Sequence, residues 1–581
     1  MMFVRIITAG VVFICVAWLA ACERKEFIVD DDVAVAMRDG VVLRATVYRP
    51  GCGGPFPVLV YRTPYDRLDT ANAYQTHLRA VERGYAVVLQ DVRGRYGSEG
   101  LFNPYRNEAQ DGYDTIEWAA RQPWSNGDIG TFGLSYPGAA QWLAAVQSPP
   151  HLKAMVPAMT YSSPGNFVYM NGVFDLSWLP WVYLNIAPDA RVRLGLPGAS
   201  SEAEAAAAWE RERDAVLSHL PLADLPILRD EAPFYFEWLE HDPTDPWWSW
   251  AEIRGRYART DAAVLNISGW YDEAYGPEGA VTNHNGLVAA RQGKAARSEL
   301  ILGPWMHGVS AMGKSRIDEL DFGPESTIDY DDVVLDFFDT HLKRTASQQL
   351  SESAVRYFVM GSNEWRQSSQ WPPAEAEPWR VCLRGQGDAA TLGDCSTATA
   401  EAASDFHADP AAPVTDPHKV FGPHDYQALE ERKDLMIFDT DALTHAVTMA
   451  GSATATLFVS CDCPDFDLWV RLLDVYPDGR AINLMSPGTD VQRVSYRDGQ
   501  KNPMLLPGEI VAVSIDGLLT ANRFDVGHRI RLQVSASFAP HLSRNLQTGL
   551  SEIESAASVP ATIKVHHDTE NPSALVLPVI E

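Results

Sequence analysis

The segment Thr131-Phe132-Gly133-Leu134-Ser135-Tyr136-Pro137-Gly138 contains the serine on which the interpretation of this chain depends. An apolar stretch leads into it from Ile129, and a helix-compatible stretch, 139–146, follows it. A serine between a strand and a helix, with glycines nearby, fits a nucleophile elbow, because glycines let the two elements approach closely. Gly138 comes one position later than usual and Pro137 takes its place, which a first helical turn tolerates. Ordinary strand-to-helix turns also produce such a pattern by chance, so further residues must separate the two interpretations.

The chain around this segment alternates predicted strands and helices. The predicted strands are at 41–47, 58–61, 85–89, 129–134, 153–158, 263–267 and 300–302, and the predicted helices are near 111–120, 139–146 and 331–342. This alternation predicts a largely parallel sheet with helices on both faces.

Two further segments of the chain, with different sequence patterns, complete the predicted architecture. Residues from about 161 to 241 are aromatic and helical, with capping-box spacing at Ser201 and Glu204. After about Ser353 helical patterns nearly vanish, and runs such as 529–534 alternate with a period of two, which predicts a β-sandwich of jelly-roll type. We therefore predict an α/β fold with five parts: a signal peptide at 1–21, the α/β domain at 22–158 and 246–350, an inserted helical cap at 159–245, and a C-terminal β-sandwich at 351–581.

The composition excludes one class of partner. The 581 residues carry a formal net charge of −29, with 46% hydrophobic residues. The hydrophobic fraction is typical of a globular protein, and the negative charge repels phosphate backbones, so we expect no nucleic-acid partner.

The N-terminal residues resemble a processing signal. Arg5 precedes the uncharged stretch 6–21, which is shorter than the roughly 20 residues that span a bilayer. Leu19-Ala20-Ala21-Cys22 resembles the bacterial lipobox, which implies cleavage before Cys22 and lipidation of its thiol. We expect an exported cell-envelope lipoprotein that meets the membrane only through this anchor; a plain signal peptide and an uncleaved anchor are the alternatives.

Cysteine spacing predicts structural roles for four of the five cysteines expected in the exported body and leaves one thiol unassigned. Cys382 and Cys395 form the favoured disulfide, which an exported protein can keep. Cys461-Asp462-Cys463 lacks companions at zinc-site spacing, so we interpret it as structural and expect no metal site.

Chemistry-bearing residues follow several predicted strands. Ser135 ends one strand, Asp272 follows the strand at 263–267, and His307 follows the strand at 300–302. Active sites of parallel sheets lie at the carboxyl ends of strands, and Ser, Asp, His is the chain order of α/β-hydrolases. His307 would take the proton of Ser135 during attack, and Asp272 would orient the imidazole; Glu273, beside Asp272, is the alternative carboxylate.

The same segments resemble the X-Pro dipeptidyl-peptidase and cocaine-esterase family of serine hydrolases. The residues that carry this resemblance are 61–65 (YRTPY), 91–94 (DVRG), 97–100 (GSEG), 133–138 (GLSYPG), 269–272 (GWYD), 303–307 (GPWMH), 474–479 (DVYPDG) and 527–530 (GHRI). The resemblance implies an α/β-hydrolase domain with a cap and a C-terminal sandwich, and Ser135, Asp272 and His307 as the triad. It also implies an oxyanion hole made by the Tyr65 hydroxyl and the Tyr136 amide, with no cofactor; an ordinary buried tyrosine is the alternative for Tyr65.

The substrate is less well defined by the sequence. Relatives that hydrolyse α-amino acid esters carry acidic residues two and three positions after the catalytic Asp, where this chain has Ala274 and Tyr275. We hypothesise a small-molecule or peptide ester or amide with a bulky or aromatic acyl group. Cap aromatics that could line its pocket, or alternatively form core, are Phe174, Trp178, Trp181, Tyr183, Trp247, Trp248 and Trp250. Carboxylester hydrolysis is favoured over release of N-terminal Xaa-Pro, and a non-catalytic surface-binding protein is the alternative from another class.

Overall fold

The computed structural model describes residues 27–291, 297–343, 355–385, 390–397, 402–486 and 491–581. The predicted signal peptide and Cys22 lie outside these residues. No helix within the described ranges combines the length and the apolar character that crossing a bilayer requires.

A large mixed sheet forms the first layer. Ten strands of the described chain build it, in the spatial order β1-β2-β4-β3-β5-β6-β9-β10-β13-β14, and the neighbours from β4 to β13 pair in parallel. The strands up to β14, with four short ones that form two separate hairpins, are β1 (Phe27–Ala36), β2 (Val42–Pro50), β3 (Phe56–Thr63), β4 (Ala86–Asp91), β5 (Ser125–Leu134), β6 (Leu152–Ala158), β7 (Tyr169–Met170), β8 (Val173–Phe174), β9 (Ala263–Tyr271), β10 (Ser298–Met306), β11 (Arg316–Ile317), β12 (Leu320–Asp321), β13 (Val355–Val359) and β14 (Glu364–Ser368). The strands β3, β5, β9 and β10, which precede the predicted site residues, are therefore all members of one sheet.

Helices cover this sheet and form the insertion between β6 and β9. The helices are α1 (Arg67–Ala73), α2 (Thr76–Glu82), α3 (Glu108–Ala120), α4 (Tyr136–Ala145), α5 (Trp178–Trp181), α6 (Ala187–Leu194), α7 (Glu202–Leu217), α8 (Pro233–Leu239), α9 (Glu278–Ala290), α10 (Val309–Met312) and α11 (Tyr330–Leu342). A π-helical turn, Val182–Ile186, joins α5 to α6. One apolar core extends from the sheet into the insertion, since Val58, Trp142, Phe167 and Trp238 belong to the same buried cluster.

The predicted capping box at the start of α7 is formed in part. The Ser201 hydroxyl accepts the Glu204 amide at 3.3 Å. The Glu204 carboxylate accepts the amide of Ser200 at 2.9 Å, one residue earlier than the pattern requires.

The C-terminal region is a β-sandwich built from a second sheet. Twelve strands of the described chain take part, and β22 and β23 pair with β20 and β19 away from the main path. These strands are β15 (Glu377–Arg384), β16 (Thr391–Gly393), β17 (Ala403–Ala408), β18 (Leu435–Asp439), β19 (Val447–Cys461), β20 (Asp467–Val475), β21 (Ala481–Asn483), β22 (Val491–Arg493), β23 (Val511–Phe524), β24 (Arg529–Ser535), β25 (Ala561–His566) and β26 (Ala574–Val579). Cys382 and Cys395 form the predicted disulfide, and Cys461 and Cys463 are also joined to each other.

Candidate active site

Ser135 lies on a strained turn between β5 and α4. Its φ of 68° and ψ of −125° are unfavourable for a residue with a side chain, and such strain is concentrated at functional sites. The turn requires both nearby glycines: a Cβ on Gly133 would lie 2.5 Å from the Cβ of Pro137, and one on Gly138 would lie 2.8 Å from the Ala158 carbonyl oxygen. The sequence prediction of a sharp strand-to-helix turn is therefore met, despite the displaced second glycine.

The start of α4 leaves a backbone amide available beside the serine. The Ser135 carbonyl accepts the Ala139 amide at 3.0 Å, which begins the helical ladder. Tyr136, the first residue of α4, lies before that bond, so its N–H has no partner within the helix. The N-terminus of a helix also carries a partial positive charge, which favours an anion at this point.

Asp272 and His307 are in direct contact. The His307 Nδ1 lies 2.8 Å from Asp272 Oδ1, and the Asp272 carboxylate is fully buried. The backbone amides of Ala274 and Tyr275 also donate to Oδ1, at 3.1 and 3.4 Å. Burial alone would lower the pKa of His307, but the charge and hydrogen bond of Asp272, with a smaller contribution from Glu273, raise it.

Glu273, unlike the adjacent Asp272, contacts the backbone of His307 and not its ring. Its carboxylate accepts the backbone amide of His307 at 2.8 Å, so it fixes the main chain under the imidazole rather than the ring itself. Burial raises the pKa of Glu273, and the nearby His307 opposes that rise. Of the two adjacent carboxylates left open by the sequence, Asp272 is the one that contacts the ring.

The Tyr65 hydroxyl is held beside Ser135 by the cap. The Trp181 indole Nε1 donates to the Tyr65 oxygen at 2.9 Å, and the two hydroxyls of Tyr65 and Ser135 interact. Arg95, almost completely buried, donates to the Pro64 carbonyl at 2.8 Å and to the Ile186 carbonyl at 2.9 Å, which ties the backbone before Tyr65 to the π-helical turn. Burial raises the pKa of Tyr65 to about 12, so this hydroxyl keeps its proton at neutral pH.

Tyr275 makes a contact with Ser135 that the sequence did not predict. Its hydroxyl interacts with the Ser135 hydroxyl and lies 2.8 Å from the Tyr105 hydroxyl. Its ring centroid is 5.9 Å from that of His307. Among the described residues Ser135 has no direct hydrogen bond to His307, although both line the same cavity. The hydrogen bond between nucleophile and base is often long in unliganded enzymes, so this geometry is compatible with His307 acting as the base for Ser135.

The cavity around Ser135 has a volume of about 570 Å³. Trp178 and Trp181 are the two predicted cap aromatics on its wall. The other five aromatics predicted as candidates, Phe174, Tyr183, Trp247, Trp248 and Trp250, pack in or against the buried core. The described lining residues include the carboxylates of Asp69, Glu202 and Glu273 and no Lys or Arg. The cavity is mainly apolar, with three carboxylates on its wall.

Comparisons with known proteins identify the family to which the chain belongs. Residues 39–309 match the family model of the X-Pro dipeptidyl-peptidase (S15 family), and residues 350–576 match that of the X-Pro dipeptidyl-peptidase C-terminal non-catalytic domain. The chain is 34% identical to the cocaine esterase of Rhodococcus sp. (strain MB1 Bresler), over 95% of this chain and 99% of the esterase.

Two solved structures share the fold over almost the full length. An aminopeptidase from the marine sediment archaeon Thaumarchaeota archaeon superposes with a TM-score of 0.82 at 23% identity, over 96% of this chain and 97% of the aminopeptidase. An α-amino acid ester hydrolase superposes with a TM-score of 0.80 at 24% identity, over 98% of this chain and 100% of the hydrolase. At these identities the likeness concerns the fold alone.

Proposed function

The chain belongs to the S15 family of serine hydrolases, and we propose that it hydrolyses carboxylic esters through an acyl-enzyme formed on Ser135. The observation that carries the proposal is the buried Asp272–His307 pair at 2.8 Å on the same cavity as a strained serine at a helix N-terminus. The 34% identity to a cocaine esterase over nearly the whole chain favours esters over amides.

The proposed reaction runs in two halves. His307 Nε2 takes the proton of Ser135 Oγ while that oxygen attacks the ester carbonyl carbon, and the carbonyl π electrons move onto the carbonyl oxygen. The Tyr65 O–H and the Tyr136 N–H would donate to this oxyanion. The intermediate collapses with loss of the alcohol, which takes the proton from His307. Water, activated by the same imidazole, then hydrolyses the acyl-enzyme.

The acyl group is proposed to lie against Trp178 and Trp181. Both indoles line the cavity, and the apolar wall would bind a bulky or aromatic acyl group by removing its surface from water. A panel of esters with one alcohol and acyl groups from acetyl to benzoyl tests this. We expect kcat/KM to rise toward the benzoyl ester, and a flat profile would contradict the assignment.

Release of N-terminal Xaa-Pro is the second candidate, within the same mechanism. The carboxylates of Asp69 and Glu202 on the cavity wall favour it, because such a substrate carries a free ammonium group. A chromogenic Gly-Pro amide and the benzoyl ester, assayed in parallel, rank the two activities directly.

Labelling with a fluorophosphonate tests the nucleophile itself. We expect the wild type to take up one label and Ser135→Ala to take up none, with the same variant inactive on every ester. Undiminished labelling of Ser135→Ala would remove Ser135 from the mechanism.

Export as a lipoprotein is proposed from the N-terminal sequence alone. In a bacterial host fed a labelled fatty acid, we expect the wild-type protein to carry the label and Cys22→Ala to lack it. Equal label in both chains would contradict lipidation at Cys22.

A further inference from the structure

Tyr275 occupies a central position in the cavity, although the proposed reaction above gives it no part. Its hydroxyl interacts with the Ser135 hydroxyl, its ring centroid lies 5.9 Å from that of His307, and its backbone amide donates to Asp272 Oδ1 at 3.4 Å. Its side chain is buried and lines the cavity. A single residue thus lies beside all three members of the proposed triad, on the cavity that Ser135 and His307 also line.

The hydroxyl of Tyr275 is oriented by that of Tyr105. The two oxygens lie 2.8 Å apart, and the Tyr105 side chain is almost fully buried. Within the described residues, Tyr275 is the acceptor within reach of the Tyr105 hydroxyl, so Tyr105 donates there rather than leave a buried proton unpaired. The Tyr275 oxygen therefore accepts one bond, which leaves its own proton for an acceptor in the cavity that Ser135 and His307 also line. Burial raises the pKa of Tyr275, so it acts as a donor and not as a base.

The order of the strands fixes the side of Ser135 on which this proton lies. Ser135 follows β5, and the order β3-β5-β6-β9-β10 puts Tyr65, after β3, on one side of it. Tyr275 follows β9 and His307 follows β10, both on the opposite side. The imidazole must reach both Ser135 Oγ and the leaving group, so the leaving group has to lie on the same side of Ser135 as His307. The leaving-group oxygen therefore comes to the side where Tyr275 lies.

We propose that Tyr275 is a further catalytic residue, whose hydroxyl donates a hydrogen bond to the leaving-group oxygen in acylation and to the attacking water in deacylation. The inference rests on the proposed function. As the bond from the acyl carbon to the alkoxy oxygen breaks, its electron pair stays on that oxygen, which takes the proton carried by His307 Nε2. Tyr275 stabilises the charge on that oxygen during the transfer and keeps its own proton. Tyr105 is a positioning residue in this scheme.

The test compares Tyr275→Phe with the wild type on two esters of one acid. The ethyl ester has a poor leaving group, whereas the p-nitrophenyl ester releases a stable phenolate that needs no donor. Because kcat/KM reports acylation, we expect a loss of between about 10- and 100-fold on the ethyl ester and less than about threefold on the nitrophenyl ester. Phe keeps the ring against His307, so the change removes the hydroxyl alone.

Tyr161→Phe is the matched control. Tyr161 is a buried neighbour in the same aromatic cluster, its ring centroid is 6.4 Å from that of Tyr275, and its hydroxyl has no hydrogen-bond partner among the described residues. We expect this variant to match the wild type on both esters. Tyr105→Phe should show a smaller loss that is also confined to the ethyl ester, and adding it to Tyr275→Phe should cost nothing more.

Two outcomes would overturn the assignment. An equal loss on both esters would mean that Tyr275 supports the nucleophile or the oxyanion, and no loss on the ethyl ester would mean that its contact with Ser135 is structural. Fluorophosphonate labelling of each variant is recorded alongside. Failure of the wild type to label or to turn over either ester would count against the proposed function, and so is distinguishable from failure of the role of Tyr275.

Discussion

The bond between Trp181 and Tyr65 gives the sharpest prediction about the oxyanion site. Trp181 Nε1 donates to the Tyr65 oxygen at 2.9 Å, which leaves the Tyr65 proton as the part of that hydroxyl that can point at substrate. Trp181→Phe removes the donor and keeps an apolar ring on the cavity wall. The Tyr65 hydroxyl can then rotate, and the oxyanion receives a less well-directed bond.

The expected size of the effect follows from the two bonds involved. Tyr65→Phe removes the oxyanion donor itself and should cost about 10²–10³ in kcat. Trp181→Phe removes one neutral hydrogen bond that orients the donor, worth about 1 kcal/mol, or roughly fivefold in kcat. If Trp181 acts only through Tyr65, the double variant should be no slower in kcat than Tyr65→Phe alone.

The assay is steady-state hydrolysis of the benzoyl and acetyl p-nitrophenyl esters by the wild type, both single variants and the double variant. Trp178→Phe is the matched control, because the Trp178 indole donates to the Phe167 carbonyl at 2.7 Å and not to Tyr65. We expect that control to change KM for the benzoyl ester while kcat for acetyl stays within about threefold. Additive losses in the double variant, or an unchanged kcat in Trp181→Phe, would refute the reasoning.

Three further predictions concern pH and stability. The base must be neutral, so the raised pKa of His307 places the acid limb of the kcat/KM profile above the usual value of about 6.5. Asp272→Asn should shift that limb to lower pH and reduce kcat by about 10⁴-fold. Both effects are read from pH–rate profiles. In urea denaturation, Gly133→Ala should lower the free energy of unfolding by about 1–3 kcal/mol more than Gly40→Ala does. Both glycines have positive φ, but only at Gly133 would a Cβ meet other atoms within 4 Å. Equal losses of stability would contradict the predicted clash. Replacing both cysteines of the Cys382–Cys395 disulfide, which are 13 residues apart, by serine should cost about 3 kcal/mol in the same assay, and an unchanged midpoint would contradict it.

The sequence predicted the sheet and the residues at its strand ends well, because those features are local. Apolar runs at 58–61 and 263–267 lie inside the longer strands Phe56–Thr63 and Ala263–Tyr271, and the run at 85–89 overlaps Ala86–Asp91 in all but its first residue. A polar residue follows each run (Arg62, Gln90 and Ser268), and the strand then ends within two to four residues of the run. Since parallel strands end at one edge, the order of motifs along the chain was enough to bring Ser135, Asp272 and His307 to one region.

Contacts between distant side chains could not be predicted in the same way. The position after β9 does not by itself indicate which of two adjacent carboxylates contacts the imidazole, because that depends on how the turn directs each side chain; the family resemblance of residues 269–272 was what favoured Asp272. The Trp181 bond to Tyr65 joins residues 116 positions apart. The contact of Tyr275 with Ser135 was likewise hidden, since the sequence identified Tyr275 only as the absence of an acidic residue.

The structure also explains why acyl specificity and rate should be difficult to change independently. Trp181 lines the cavity that would receive the acyl group, and its indole nitrogen orients the hydroxyl proposed to bind the oxyanion. Arg95 adds a second link, because it binds both the Pro64 carbonyl and the cap carbonyl of Ile186. The sheet and the turn after β9 thus hold the Asp272–His307 pair, whereas the Tyr65 hydroxyl is held by the cap. A substitution that enlarges the acyl pocket at Trp181 must therefore also loosen Tyr65, so variants with a wider acyl range should lose kcat even on substrates that the original pocket already accepts.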